Sequence, residues 1–181
     1  MIPRLVCLIG AECTGKTTLA HALATRLDGL WVPEYLREFT ARQGRTPLHG
    51  EQSRILQQQL TLQDTALEQA RQQQRAWVFC DTAPLLTAVY SDCVFGDASL
   101  YPLALALHKR YAHTLLLETD LPWVADGLQR DGLAMQAQVQ ARIQECLHDA
   151  GLPWRPVAGH ADLRLQAALH HLGVPLPAAP P

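Results

Sequence analysis

Short apolar runs rich in β-branched residues alternate along this chain with longer stretches in which apolar positions recur every three or four residues. That alternation predicts βαβ units wound around a parallel sheet. Five strands are expected, over residues 4–10 (RLVCLIG), 29–34 (GLWVPE), 76–81 (AWVFCD), 113–119 (HTLLLET) and 153–158 (PWRPVA). The first, third and fourth are almost wholly apolar, the pattern of strands covered on both faces. Pro33, Pro153 and Pro156 break the ladder in the other two and weaken them as strands. Helices are expected near 16–27, 35–45, 51–74, 84–94, 98–110, 133–149 and 161–172. The longest, 51–74, carries Ile55, Leu56, Leu60, Leu62, Ala66, Leu67 and Ala70 as a stripe, with nine glutamines over much of the remainder, and reads as a solvated helix packed on the sheet.

A length of 181 residues suits one domain with a continuous core, taken as residues 1–173 and followed by a proline-rich, mobile tail over 174–181. Apolar residues make up 48%, charged residues 18%, and the formal net charge is -2. A general binder of nucleic acid or of anionic membranes needs a basic excess, so neither partner is expected. The five cysteines form no C-x-x-C pair, which argues against a disulfide framework or a zinc site and for a reduced, cytoplasmic setting. The apolar N-terminal run is too short for a membrane span.

Gly10-Ala11-Glu12-Cys13-Thr14-Gly15-Lys16-Thr17 matches G-x-x-x-x-G-K-[ST] without a gap, between an apolar strand and a helical run. In that pattern glycines let backbone N–H groups wrap a polyphosphate, and the helix N-terminus favours the anion. The lysine reaches the β- and γ-phosphates and the hydroxyl ligates Mg²⁺, roles that fall to Lys16 and Thr17. Residues 10–17, with Thr18, are therefore the expected ATP site.

Four further residues complete the candidate chemistry. Asp81 ends the third strand, where a carboxylate holds the water shell of Mg²⁺ and where an aspartate also caps a following helix. Glu34 ends the second strand, on the side of a parallel sheet where ligands bind; it is a candidate acceptor of a hydroxyl proton, or else a carboxylate favoured by a helix N-terminus. Arg37 follows as a candidate for holding a substrate hydroxyl or phosphate. The stretch 120–132, punctuated by Pro and Gly, reads as a lid, with Arg130 as the cation it would bring over the phosphates or as a surface arginine.

Together the P-loop, Pro33-Glu34-Tyr35-Leu36-Arg37-Glu38, Asp81-Thr82 and Pro122-Trp123-Val124-Ala125-Asp126-Gly127 resemble the NadR-type ribosylnicotinamide kinase family of P-loop ATPases, with its AAA-like ATP-binding domain. The resemblance runs from about residue 4 to residue 172. It implies an α/β, three-layer P-loop NTPase fold with a mainly parallel five-stranded sheet flanked by helices. It also implies transfer of the ATP γ-phosphate, with Mg²⁺, to the 5′-hydroxyl of nicotinamide riboside. Lys16, Glu34, Asp81 and Arg130 are then the catalytic candidates, Thr17 and Asp81 the metal ligands, and Trp31, Glu34, Tyr35, Arg37, Trp123 and Asp126 the acceptor contacts. This chain departs from the family pattern in three places. Pro33 stands before the glutamate where an aromatic is usual, Ala83 where an aspartate is usual, and Gln129 where the arginine comes one place later as Arg130. Trp31, two residues from Pro33 on one strand face, is a candidate replacement for the aromatic, with Trp123 and Tyr35 as competing candidates. Two other readings remain, a regulatory ATPase module without a metabolite acceptor and a kinase of another nucleoside or sugar.

Overall fold

The computed structural model describes residues 2–123 and 132–175. Five strands, β1 (Arg4–Ile9), β2 (Leu30–Val32), β3 (Trp77–Asp81), β4 (His113–Leu117) and β5 (Arg155–Val157), form one sheet in the order β2-β3-β1-β4-β5. Every pairing is parallel. The two proline-bearing runs are its edges. Pro33 stops β2 after three residues, and Pro156 stands in an edge strand, where a missing N–H costs the ladder least.

Among the described residues there are seven α-helices, α1 (Lys16–Arg26), α2 (Tyr35–Gln43), α3 (Gln52–Gln72), α4 (Pro84–Phe95), α5 (Tyr101–His108) and α6 (Gly132–Asp149) between strands and α7 (Ala161–His171) after the last. A 3-10 turn, His49–Glu51, leads into α3. Alternation along the strands divides the core. Val6, Leu8, Phe79, Leu115 and Leu117 face α1 and α7, packing on Leu19, Leu23, Ala168 and Leu169. Cys7, Ile9 and Leu116 face α4 and α6, meeting Leu85, Val89, Val139 and Ile143. Leu5, Val78 and Cys80 meet Ala66 and Ala70 of α3. The result is the three-layer α/β fold. Burying each such Leu, Ile or Phe side chain stabilises by about 1.5–3 kcal/mol.

Because α1 and α4 cover opposite faces while β1 and β3 are neighbours, a crevice opens between the carboxyl ends of these two strands. That is where an open parallel sheet binds ligands.

Helix α3 differs from the solvated helix expected. Its stripe packs as read, but Gln52, Gln59 and Gln63 are buried. α3 is flanked by α2 and α4 as well as by the sheet; there the Gln59 amide is hydrogen-bonded at both ends and Gln63 accepts from the Tyr111 hydroxyl, while its Nε2 has no partner.

Candidate functional site

The loop from Gly10 to Thr17 crosses the end of β1 and turns into α1. A Cβ at position 10 would stand 2.8 Å from the Leu117 carbonyl oxygen, and Gly15 takes φ 78° at the helix entrance, so both places need glycine. No side chain caps α1, which leaves its first N–H groups for an anion. Lys16, nearly buried, donates from Nζ to the carbonyls of Gly10 (3.0 Å) and Ala11 (2.8 Å). Two side chains of α6 hold the loop from outside. Gln140 accepts from the Ala11 N–H (3.0 Å) and donates to the Leu117 carbonyl (3.0 Å), and Gln136 donates to the Glu12 carbonyl (2.8 Å). From α7 the buried Arg164 donates to the carbonyls of Thr14, Gly159 and Glu118 and pairs with Asp120. It thereby ties the phosphate loop to the segments that follow β4 and β5.

Thr17 and Asp81 meet across the crevice, Thr17 Oγ1 donating to Asp81 Oδ2 at 2.6 Å. Asp81 is buried and its Oδ1 has no hydrogen-bond partner. A hydroxyl beside a carboxylate with an unused oxygen is a hard donor set suited to Mg²⁺.

Glu34 stands in extended backbone immediately before α2, its carboxylate 3.3 Å from Arg37 Nε. Burial pushes its carboxyl above the ordinary value, with Asp81 acting in the same direction, while Lys16 and Arg37 oppose. Gln59 of α3 brackets the residue. It accepts from the Tyr35 N–H (2.8 Å) and donates to the Pro33 carbonyl (3.1 Å), one bond on either side of Glu34.

Two cavities open here. The larger, about 540 Å³, is lined by residues 12–18 together with Glu34, Leu36, Arg37, Leu86, Tyr90, Leu121 and Pro122. The narrower, about 250 Å³, runs between α2, α3 and α4 past Gln52, Ile55, Gln59, Thr82, Thr87 and Phe95. Glu34, Leu36, Leu86 and Tyr90 line both. The two spaces therefore adjoin along these four residues, Glu34 among them.

The structure thus brings Lys16, Thr17, Glu34, Arg37 and Asp81 to one crevice. Trp31 is elsewhere. Strand alternation turns its ring toward α1, where it packs on His21 with ring centroids 3.7 Å apart, and it lines neither cavity. Trp123 donates to Glu12 Oε1 (3.3 Å), beside the phosphate loop rather than in the narrower cavity. Tyr35 contributes its backbone N–H to Gln59, and its side chain lines neither space. Ala83, the departure from the family aspartate, is fully buried in the core under α4. Asp126 and Arg130 lie outside the described residues. Gln59, Leu86, Tyr90 and Phe95 were not anticipated, and Thr82 was read only as part of the Asp81-Thr82 motif. Leu86 and Tyr90 are four apart on a helix that starts at a strand's carboxyl end, which is a usable signal; Gln59 carries none.

A family model described as an AAA domain matches residues 5–164. The chain belongs to that family. It is 28% identical over 151 residues to the trifunctional NAD biosynthesis/regulator protein NadR of Escherichia coli (strain K12), covering 81% of this chain and 36% of that relative. The domain thus spans about a third of the relative it matches. A crystal structure of NadR protein in complex with NR superposes with TM-score 0.75 and 19% identity over 97% of this chain and 53% of that one. A NadR complex with NAD and AMP-PNP gives TM-score 0.77 at 18% identity, over 99% of this chain and 52% of that one. Deoxyadenosine kinase from M. mycoides gives TM-score 0.61 at 13% identity, over 93% of this chain and 97% of that one. The likeness to NadR-type P-loop domains seen in the motifs accordingly extends across the fold. Among the described residues no helix is long and apolar enough to cross a membrane.

Proposed function

We propose that this domain transfers the γ-phosphate of ATP to the primary hydroxyl of a nucleoside-like acceptor, and that nicotinamide riboside is that acceptor. The observation that carries this reading is the meeting of two cavities at Glu34, one lined by the phosphate loop and one lined largely by apolar side chains with a few polar groups. A nucleotide-controlled switch has no need of the second space. A kinase does.

In this reading the polyphosphate lies along residues 10–18, and Lys16 exchanges its carbonyl partners for the β- and γ-phosphate oxygens. Thr17 and Asp81 would hold Mg²⁺, which when bound neutralises charge on those oxygens. The acceptor's 5′-oxygen attacks the γ-phosphorus while Glu34 takes the hydroxyl proton. An O–P bond forms, the bond to the bridging oxygen breaks, and ADP leaves. Phosphoryl transfer asks mainly for position and charge, and the raised carboxyl of Glu34 is closer to the working pH of a general base than a free glutamate is. For the ring of the acceptor the narrower cavity offers Tyr90 and Phe95, aromatic faces that suit a pyridinium cation.

The relatives that support this reading are a NadR complex with NR and a deoxyadenosine kinase, so these two nucleosides are the acceptors to compare. ADP release from MgATP is expected to rise at least tenfold on adding nicotinamide riboside. Release stimulated by deoxyadenosine alone moves the assignment to another nucleoside. Slow release that neither compound stimulates, from folded protein that binds MgATP, removes it.

A further inference from the structure

Thr82 has a combination of features that the chemistry described so far does not use. It follows Asp81 directly, is 4% exposed, and lines the narrower cavity. Its Oγ1 is buried and has no hydrogen-bond partner. Its backbone takes φ 85°, a conformation that a β-branched residue adopts only where the surroundings enforce it. The backbone N–H is satisfied by the Leu8 carbonyl at 3.0 Å, which pins the residue at the end of β3. A buried hydroxyl without a partner destabilises the folded protein, and left-handed backbone at a threonine adds strain. The hydroxyl makes no hydrogen bond within the chain. Both costs are explained if the missing partner is a ligand in the cavity that Thr82 lines.

We propose that Thr82 is an acceptor-binding residue whose hydroxyl pairs with a sugar hydroxyl of the nucleoside. The inference rests on reading the narrower cavity as the acceptor's. Sequence position favours the sugar over the base: Thr82 directly follows Asp81, the proposed Mg²⁺ ligand, and the hydroxyl to be phosphorylated must lie near the phosphates. The outer part, toward Leu48, Val94 and Phe95, is apolar and takes the ring. The cavity's polar end thus selects a hydroxylated sugar, and Thr82 is one of the groups that select it.

Thr82→Val keeps the shape and the β-branch while removing the hydroxyl; Thr82→Ser keeps the hydroxyl. With whichever of nicotinamide riboside and deoxyadenosine the parent turns over, the Val variant is expected to raise the acceptor KM about tenfold, the scale of one neutral hydrogen bond. KM for ATP stays within twofold, and Ser retains the parent's acceptor KM. The unliganded Val variant is expected to melt higher than the parent by about 2–10 °C, because an unpaired buried hydroxyl has been removed. A merely structural threonine would show the reverse, with lower Tm and no selective loss of acceptor. A Val variant with the parent's acceptor KM, or with ATP and acceptor affected alike, overturns the proposal and leaves the kinase reading standing. A folded parent that turns over neither nucleoside overturns both.

Discussion

In the proposed reaction Glu34 is the base, and its surroundings would set the pH at which it works. Burial and Asp81 favour the protonated carboxyl, while Lys16 and Arg37 favour the carboxylate, and the balance lies above the ordinary value of 4.5. A base must be ionised to accept the proton, so kcat/KM should rise as pH rises through that elevated value. Glu34→Gln is expected to abolish this acid limb and to lower kcat by about 10²–10⁴-fold, with MgATP affinity retained. Titrating MgATP into Glu34→Gln and Asp81→Asn separates the roles, because Asp81→Asn should lose Mg²⁺-dependent binding. The reverse pattern would exchange the two assignments. The same elevated carboxyl acts on folding. The native state holds the proton more tightly than the unfolded chain, so Glu34 contributes stability below pH 4.5 that is lost as pH rises through the folded value. Catalysis and stability thus pull this residue in opposite directions.

At the scale of elements, the apolar periodicity was enough to place strands and helices, because a strand covered on both faces and an amphipathic helix each leave a local record. Helix α5 is shorter than the span expected from 98 to 110 because Asp97 accepts from the Ser99 N–H (2.9 Å) and turns the chain before Pro102 opens the helix. The phosphate loop was legible for the same reason of locality, since its roles lie within eight consecutive residues. What ties these elements into a site was not legible. Gln59 and Gln140 are polar residues on helices, which composition reads as solvated, yet Gln59 joins the two backbone groups that flank Glu34 and Gln140 joins the phosphate loop to the end of β4. Nothing near Gln59 in the chain announces a contact with residues 24 to 26 positions away. Removing such an amide leaves a buried donor and acceptor unpaired, at about 1–3 kcal/mol each. Gln59→Met should therefore lower kcat by roughly 10–100-fold through misplacement of Glu34, with the KM of ATP unchanged. Gln59→Glu, which still accepts from Tyr35 but no longer donates to Pro33 when ionised, should fall between Met and the parent. Steady-state kinetics on the three proteins tests the order.

For the whole molecule, the consequence of placing α1 and α4 on opposite faces is that the phosphate loop and most of the narrower cavity's lining come from different layers and meet at the carboxyl end of the sheet. Lys16 belongs to the first and lines the larger cavity alone; Gln52, Ile55 and Phe95 belong to the second. Ligands that bind only the folded state stabilise it by mass action, by about 2.7 kcal/mol at a hundred times Kd. For a chain of this length that is a rise in Tm of roughly 5–10 °C. MgATP at saturation is expected to give such a rise, and Lys16→Ala to remove most of it, since the lysine's charge is withdrawn from a site whose work is electrostatic. The acceptor's own rise should survive in Lys16→Ala, because no residue of the narrower cavity has changed. Thermal unfolding with each ligand alone and with both together checks this. If the acceptor's shift disappears together with that of ATP, the two spaces act as one site that the phosphate loop organises, and the division of labour between the layers is wrong.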